Sequence, residues 1–210
     1  MTSLSFFVMA NLLFSYLIQI RTDMSTLVIH PSDTTTAFLK LIYSGLDCRV
    51  INNELTEEEI RAALESSSRV IFLGHGTESG LMGWNRLVFH AGMLTDLRNN
   101  PKNIFIWCNA DKFLSNHQLL GFHSGMFISD QQEARYYGLN VSDEQINFSN
   151  RLFALALQHV LVRGLKPELV CKSVKKYYRS PDCTIIRFNA ERLNFSSSLQ
   201  TNLQTNSIFI

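Results

Sequence analysis

Four short apolar runs, each followed by a helix-like or turn-rich segment, constrain this chain more than any other feature. They are "TLVIH" (26–30), "CRVIN" (48–52), "RVIFLG" (69–74) and "NIFIWC" (103–108). All four are apolar at successive positions instead of alternating, so both faces of each strand must be covered. Between them, "TTTAFLKLIYSG" and "LTEEEIRAALESS" carry helical spacing. The second opens on Thr56 as N-cap, with three acidic residues in its first turn. Strands alternating with helices form a parallel sheet, and right-handed crossovers make it doubly wound. The expected fold is therefore a three-layer α/β domain with a mostly parallel sheet of five to six strands. Extra helices follow at the C-terminus, at "SDEQINFSNRLFALALQHVLVRG", capped by Ser142, and at "PELVCKSVKKYYRS".

The boundaries follow from composition. Residues 1–23 form an apolar leader around "LSFFVMANLLFSYLIQI", read either as an anchor or as a mis-start upstream of Met24. Residues 24–195 make a single α/β domain, and 196–210 a polar tail rich in Ser, Thr, Asn and Gln. "GMFIS" (125–129) is expected as a fifth strand, leading into a helix capped by Ser129 or Asp130 with Glu133 completing a capping box. "TIIRFN" (184–189) is expected as a last strand. A small hairpin is expected around Asn85-Arg86, followed by a short helix at "MLTDLRNN".

A net charge of +1 and the lack of a basic stripe argue against a nucleic-acid partner. Four cysteines without paired spacing, and histidines without a compact ligand motif, argue against a disulfide framework and a metal site. A reducing, cytoplasmic location is the expectation, with membrane attachment the alternative should residues 4–20 act as an anchor. No cofactor motif occurs: "GHGTESG" lacks the ending of a phosphate-binding P-loop, and there is no GxGxxG.

Two strands end on residues that can do chemistry. "RVIFLG" runs into His75-Gly76 and "NIFIWC" ends on Cys108. Ligands of open α/β sheets bind beyond the carboxyl ends of the strands, so a Cys-His dyad is expected there. Cys108 would act as nucleophile and His75 as general base and acid. The backbone of Gly76 and of the residues after Cys108, Asn109 first, would hold an oxyanion. Asp111 either caps a helix or lends negative charge to a pocket for a basic side chain, and Asp130 shares that ambiguity.

The blocks "VIFLGHG" and "IFIWC" resemble the clan CD cysteine peptidases, which include caspases, metacaspases, legumains, gingipains and separases. In that clan an apolar strand ends in His-Gly, and a further apolar strand ends in the catalytic Cys. The resemblance spans about 85 residues, from the first strand to Cys108. It implies a cysteine peptidase acting on a peptide or protein substrate, with His75 and Cys108 as the dyad. "WCNAD" stands where a caspase carries "QACRG", and no inter-subunit cleavage linker is present, so caspase specificity is not implied. The alternation of elements is also similar to flavodoxin-like and other Rossmann-type folds. Two further readings therefore stand beside the hydrolase: a non-catalytic domain for a small molecule or nucleotide, and an interaction module with a degenerate site.

Overall fold

The computed structural model describes residues 26–94, 97 and 99–197. The apolar segment 4–20, nearly all of the polar tail and part of "MLTDLRNN" lie outside the described residues. The central sheet has six strands, introduced here in chain order. They are β1 (Thr26–Ile29), β2 (Cys48–Ile51), β3 (Arg69–Leu73), β7 (Ile104–Ile106), β8 (Gly121–Ser124) and β9 (Leu193–Ser196). Their spatial order is β2-β1-β3-β7-β8-β9. All neighbouring pairs are parallel except β8 with β9, which is antiparallel. A second, antiparallel sheet of β4 (Gly76–Thr77), β5 (Gly80–Gly83) and β6 (Arg86–His90) follows β3 directly. Its β5–β6 turn is the expected hairpin, with Trp84 and Asn85 both at positive φ, as a tight two-residue turn requires.

The expected α/β architecture is present in three layers. One face of the sheet packs under α1 (Lys40–Tyr43), α5 (Asp143–Val162), α6 (Pro167–Tyr177) and α7 (Thr184–Glu191). The other packs under α2 (Glu57–Glu65), α3 (Ala110–His117) and the small sheet. Alternation sorts each strand between the two: Val28, Ile71, Leu73 and Ile106 face the first layer, whereas Leu27, Ile29, Phe72 and Phe105 face the second. Phe72 stacks on Phe89 and Phe105 with ring centroids 4.2 and 5.3 Å away. Trp107 meets Phe72, Phe89, Phe105 and Phe113 edge-on. Each such buried ring contributes about 1.5–3 kcal/mol by removal from water, which anchors the exits of β3 and β7. Thr56 and Ser142 cap α2 and α5 with complete capping boxes, as their sequence context predicts.

Two elements differ from expectation. The fifth strand is Gly121–Ser124, not 125–129. Buried Ile128 has no ladder partner; the Asn189 amide stands in for one, accepting from Ile128 N at 2.8 Å and donating to Ile128 O at 2.9 Å. "TIIRFN" lies within helix α7, because Ile185, Ile186 and Asn189 are buried together on one helical face. The last strand is β9, which includes Ser196.

Candidate functional site

Register brings the two strand tips together. Leu73 of β3 is the partner of Ile106 in β7, and Gly74 N donates to Ile106 O at 3.1 Å. His75 and Cys108 each lie two residues beyond that pair, so both leave the same edge of the sheet from adjacent parallel strands. They line one narrow cleft, together with Gly74, Trp107, Phe127 and Ser129. Its volume of about 20 Å³ is room for little more than one water.

His75 is held by the loop that follows β1. Its Nε2 lies 2.6 Å from Thr35 Oγ1 and 3.7 Å from Asp33 Oδ1. Thr35 Oγ1 donates its only proton to Asp33 Oδ1, so it must accept from His75. In the neutral ring Nε2 therefore carries the hydrogen, and Nδ1 is the basic nitrogen. The Thr35 hydroxyl, more than any other group, holds the Asp33 carboxyl below its ordinary range; burial opposes this. Asp33 and Thr35 thus orient the imidazole, a role that sequence reading missed. The available signal was their place at the exit of β1, the strand beside β3.

Cys108 has a different environment. It is partly exposed, and its Sγ, with one proton to donate, lies 3.6 Å from Phe127 O and 3.7 Å from Glu133 Oε1. No hydrogen bond joins it to His75 among the described residues. Burial, and then the negative charge of Glu133, push the thiol up to about 12, opposed by the Phe127 contact. Glu133 belongs to α4 (Gln131–Tyr136), whose N-cap Asp130 accepts from Glu133 N at 2.8 Å. Glu133 Oε2 in turn accepts from Ser129 N and Oγ. The carboxylate thus reaches one residue beyond the N-cap, leaving its other oxygen against the thiol. Sequence reading identified Glu133 as a capping residue but not as the neighbour of Cys108.

The remaining candidates separate. Gly76 opens β4, and a Cβ there would lie 2.2 Å from Trp107 Cδ1, so the missing side chain makes room for the indole. Asn109 is the N-cap of α3 in the left-handed region (φ 66°), and its N–H donates to Gly125 O at 3.3 Å. That donor is occupied and is not free for an oxyanion. Asp111 makes no side-chain cap on α3: one oxygen is buried without a hydrogen bond, and its charge acts on the buried His123. Asp130 caps α4 and lines a second cavity beside the cleft. "GHGTESG" continues into the small antiparallel sheet, not into a helix.

That second cavity, of about 390 Å³, shares Phe38 and Ser129 with the cleft. An apolar cavity of about 290 Å³ lies instead at the amino ends of the strands, beside Thr26, Ile104 and Phe122, and holds neither His75 nor Cys108. Among the described residues no cluster of His, Cys, Asp and Glu is arranged to hold a metal. No helix there is long and apolar enough to cross a membrane. No family model matches the chain, and a comparison with curated proteins found no match.

Proposed function

We propose that the chain is a cysteine hydrolase acting on peptide bonds, with Cys108 as nucleophile and His75 as general base and acid. The observation that carries this reading is the shared cleft: adjacent parallel strands deliver both groups to one edge, two residues beyond a register pair. The peptide class comes from the resemblance to clan CD peptidases. In the reaction, His75 Nδ1 takes the Cys108 proton and sulfur adds to the carbonyl carbon. The C–N bond then breaks, and the departing amine takes the proton from His75. Water next adds to the thioester as His75 removes its proton; the C–S bond breaks, the acid leaves and the thiol is restored. Thr35 and Asp33 keep the imidazole in the tautomer that this requires. The four unpaired cysteines suit a reducing compartment, and the cytoplasm is the proposed location.

One observation favours a second reading. A thiol pushed up to about 12 and hydrogen-bonded to a carboxylate is a poor nucleophile at neutral pH, as suits an interaction module with an inert site. A library of fluorogenic peptide amides, tested on the wild type and on Cys108→Ala and His75→Ala, separates the two. The hydrolase reading expects cleavage of at least one peptide, reduced at least about 100-fold in each variant with an unchanged melting temperature. Cleavage that persists in Cys108→Ala rejects it. No cleavage by the wild type, with iodoacetamide labelling Cys108 no faster than Cys48 or Cys171, leaves the interaction module.

A further inference from the structure

The 290 Å³ cavity at the amino edge of the central sheet lies on the face covered by α5 and α6. Its floor belongs to the core: Ile104, Phe122, Val160, Leu161 and Val170 line it, and each is at most 7% exposed. Its rim is basic. Arg69, Lys102 and Lys166 line it, and no Asp or Glu does. Among the described residues none of the three pairs with a carboxylate, the ion pairs there being made by other cations.

Arg69 is the cation that the fold accounts for least. It is half-buried, and its Nε and Nη2 share one acceptor, Thr26 Oγ1, at 3.2 and 2.8 Å. A guanidinium has five N–H donors, and taking it out of water with no acid beside it is costly. Burial accordingly holds Arg69 below its ordinary range. The neighbouring Cys48 thiol, pushed up by burial, supplies no anion at neutral pH. The neutral polar groups of the lining do not answer the charge either. Asn103 is fixed between Val70 N and Leu97 O, and the Ser68 carbonyl accepts from Asn100 Nδ2.

From this juxtaposition of an apolar floor and three cations without an acid, we propose that the cavity binds a small amphipathic carboxylate, a medium-chain fatty acid. The alkyl chain lies against Ile104, Phe122 and Leu161, where it removes further apolar surface from water. The carboxylate meets Arg69, whose planar fork matches two oxygens at once. Lys102 and Lys166, both exposed, add positive charge at the mouth. A neutral lipid would leave Arg69 without an anion, and a bare phosphate would leave the apolar floor uncovered. The volume stands near the lower end of the range for small-ligand pockets, which fits an acid of modest length. The cavity lies at the opposite end of the strands from His75 and Cys108, so the inference holds whether or not they hydrolyse peptides.

The test is titration of the full chain with sodium octanoate, followed by calorimetry and by methyl NMR. The expected result is saturable binding of one octanoate per chain. Octanol has the same chain without the charge, and inorganic phosphate has charge without a chain. Each should bind at least about tenfold more weakly, the scale of losing a hydrogen bond to a charged group or most of the apolar contact. From butanoate to octanoate, each added methylene should tighten binding about three- to fourfold. Methyl signals of Val160, Leu161 and Val170 should move, and those of Leu73 and Ile106 at the other edge should not. Arg69→Gln, which keeps a donor for Thr26, should weaken octanoate at least about tenfold. Lys102→Gln with Lys166→Gln should weaken it less, by an amount that high salt removes. Octanol or phosphate binding as tightly as octanoate overturns the proposal. So do the absence of saturation, methyl shifts that spare the cavity, or unchanged binding in a folded Arg69→Gln. Where Arg69→Gln does not fold, the ligand series and the methyl shifts of the wild type decide alone.

Discussion

Replacing Glu133 by Gln should make Cys108 react faster, and the distance allows the gain to be bounded. The carboxylate lies 3.7 Å from Sγ. Two unit charges at that separation repel by about 1.1 kcal/mol in water-like surroundings and about 4.5 kcal/mol at an effective dielectric of about 20. The second figure alone would exceed the whole rise of the thiol from its ordinary 9.0 to about 12, in which burial contributes more than Glu133. The carboxylate's share is therefore about 0.8–1.5 pH units, or about 6–30-fold in thiolate. A more acidic thiolate is also less nucleophilic, by a factor whose exponent is about 0.4–0.5 of the pKa change. The net gain is then about three- to sevenfold. Gln keeps an acceptor for Ser129 N–H, so the start of α4 is retained. The assay is exchange with an aromatic disulfide at pH 7.5, followed peptide by peptide so that Cys48, Cys171 and Cys183 serve as internal references. A Cys108 rate unchanged within twofold, or lowered, refutes the claim that Glu133 restrains the thiol.

Three further outcomes follow from the packing. Gly76→Ala drives a methyl into the Trp107 ring and the Gly80 carbonyl, and it should lower stability by about 1–3 kcal/mol, read from the urea midpoint. Burial lowers His30 and His123 to about 4 each, against about 6.5 when unfolded. As pH falls from about 6.5 to 4 the unfolded chain takes up two protons that the folded chain refuses. Stability should then drop along a slope of up to about 2.7 kcal/mol per pH unit, measured by urea unfolding across that range, and His123→Asn should halve the slope. Thr56→Ala removes the hydroxyl that accepts from Glu59 N in a capping box and should cost about 1 kcal/mol, seen as a lower melting temperature.

The parts of the fold legible in the sequence are those in which local pattern and tertiary demand agree. The strands β1, β3 and β7 are apolar on both faces because helices or a second sheet cover both, whereas β2, at the sheet edge, leaves Arg49 exposed. Thr56 and Ser142 cap their helices because the Ser/Thr and Glu/Gln spacing permits one geometry. "TIIRFN" misleads because a short apolar run fits a strand or a helix equally well; the pairing of Asn189 with Ile128 lies 61 residues away in sequence. The fifth strand escapes notice because it contains His123 and Ser124, polar residues yet buried. Ser124 Oγ donates to Trp107 O, and His123 Nε2 meets Ser196 Oγ.

The site divides along the same line. His75 and Cys108 announce themselves by their position after apolar strands, and register then brings the strand ends together. Glu133 against the thiol and Thr35 against the imidazole depend on how α4 and the loop after β1 settle. No spacing in the chain encodes either contact. Asn109 shows the limit from the other side: its place after the cysteine suggests an oxyanion donor, but Gly125 O already takes its N–H.

The central claim is that Cys108 and His75 work as one unit. Covalent capture of Cys108 by a peptidyl chloromethyl ketone, followed by intact mass and peptide mapping, tests this most directly. One adduct per chain is expected, located on Cys108, forming at least about tenfold more slowly in His75→Ala. An adduct on another cysteine, or on Cys108 at the same rate without the histidine, would contradict it.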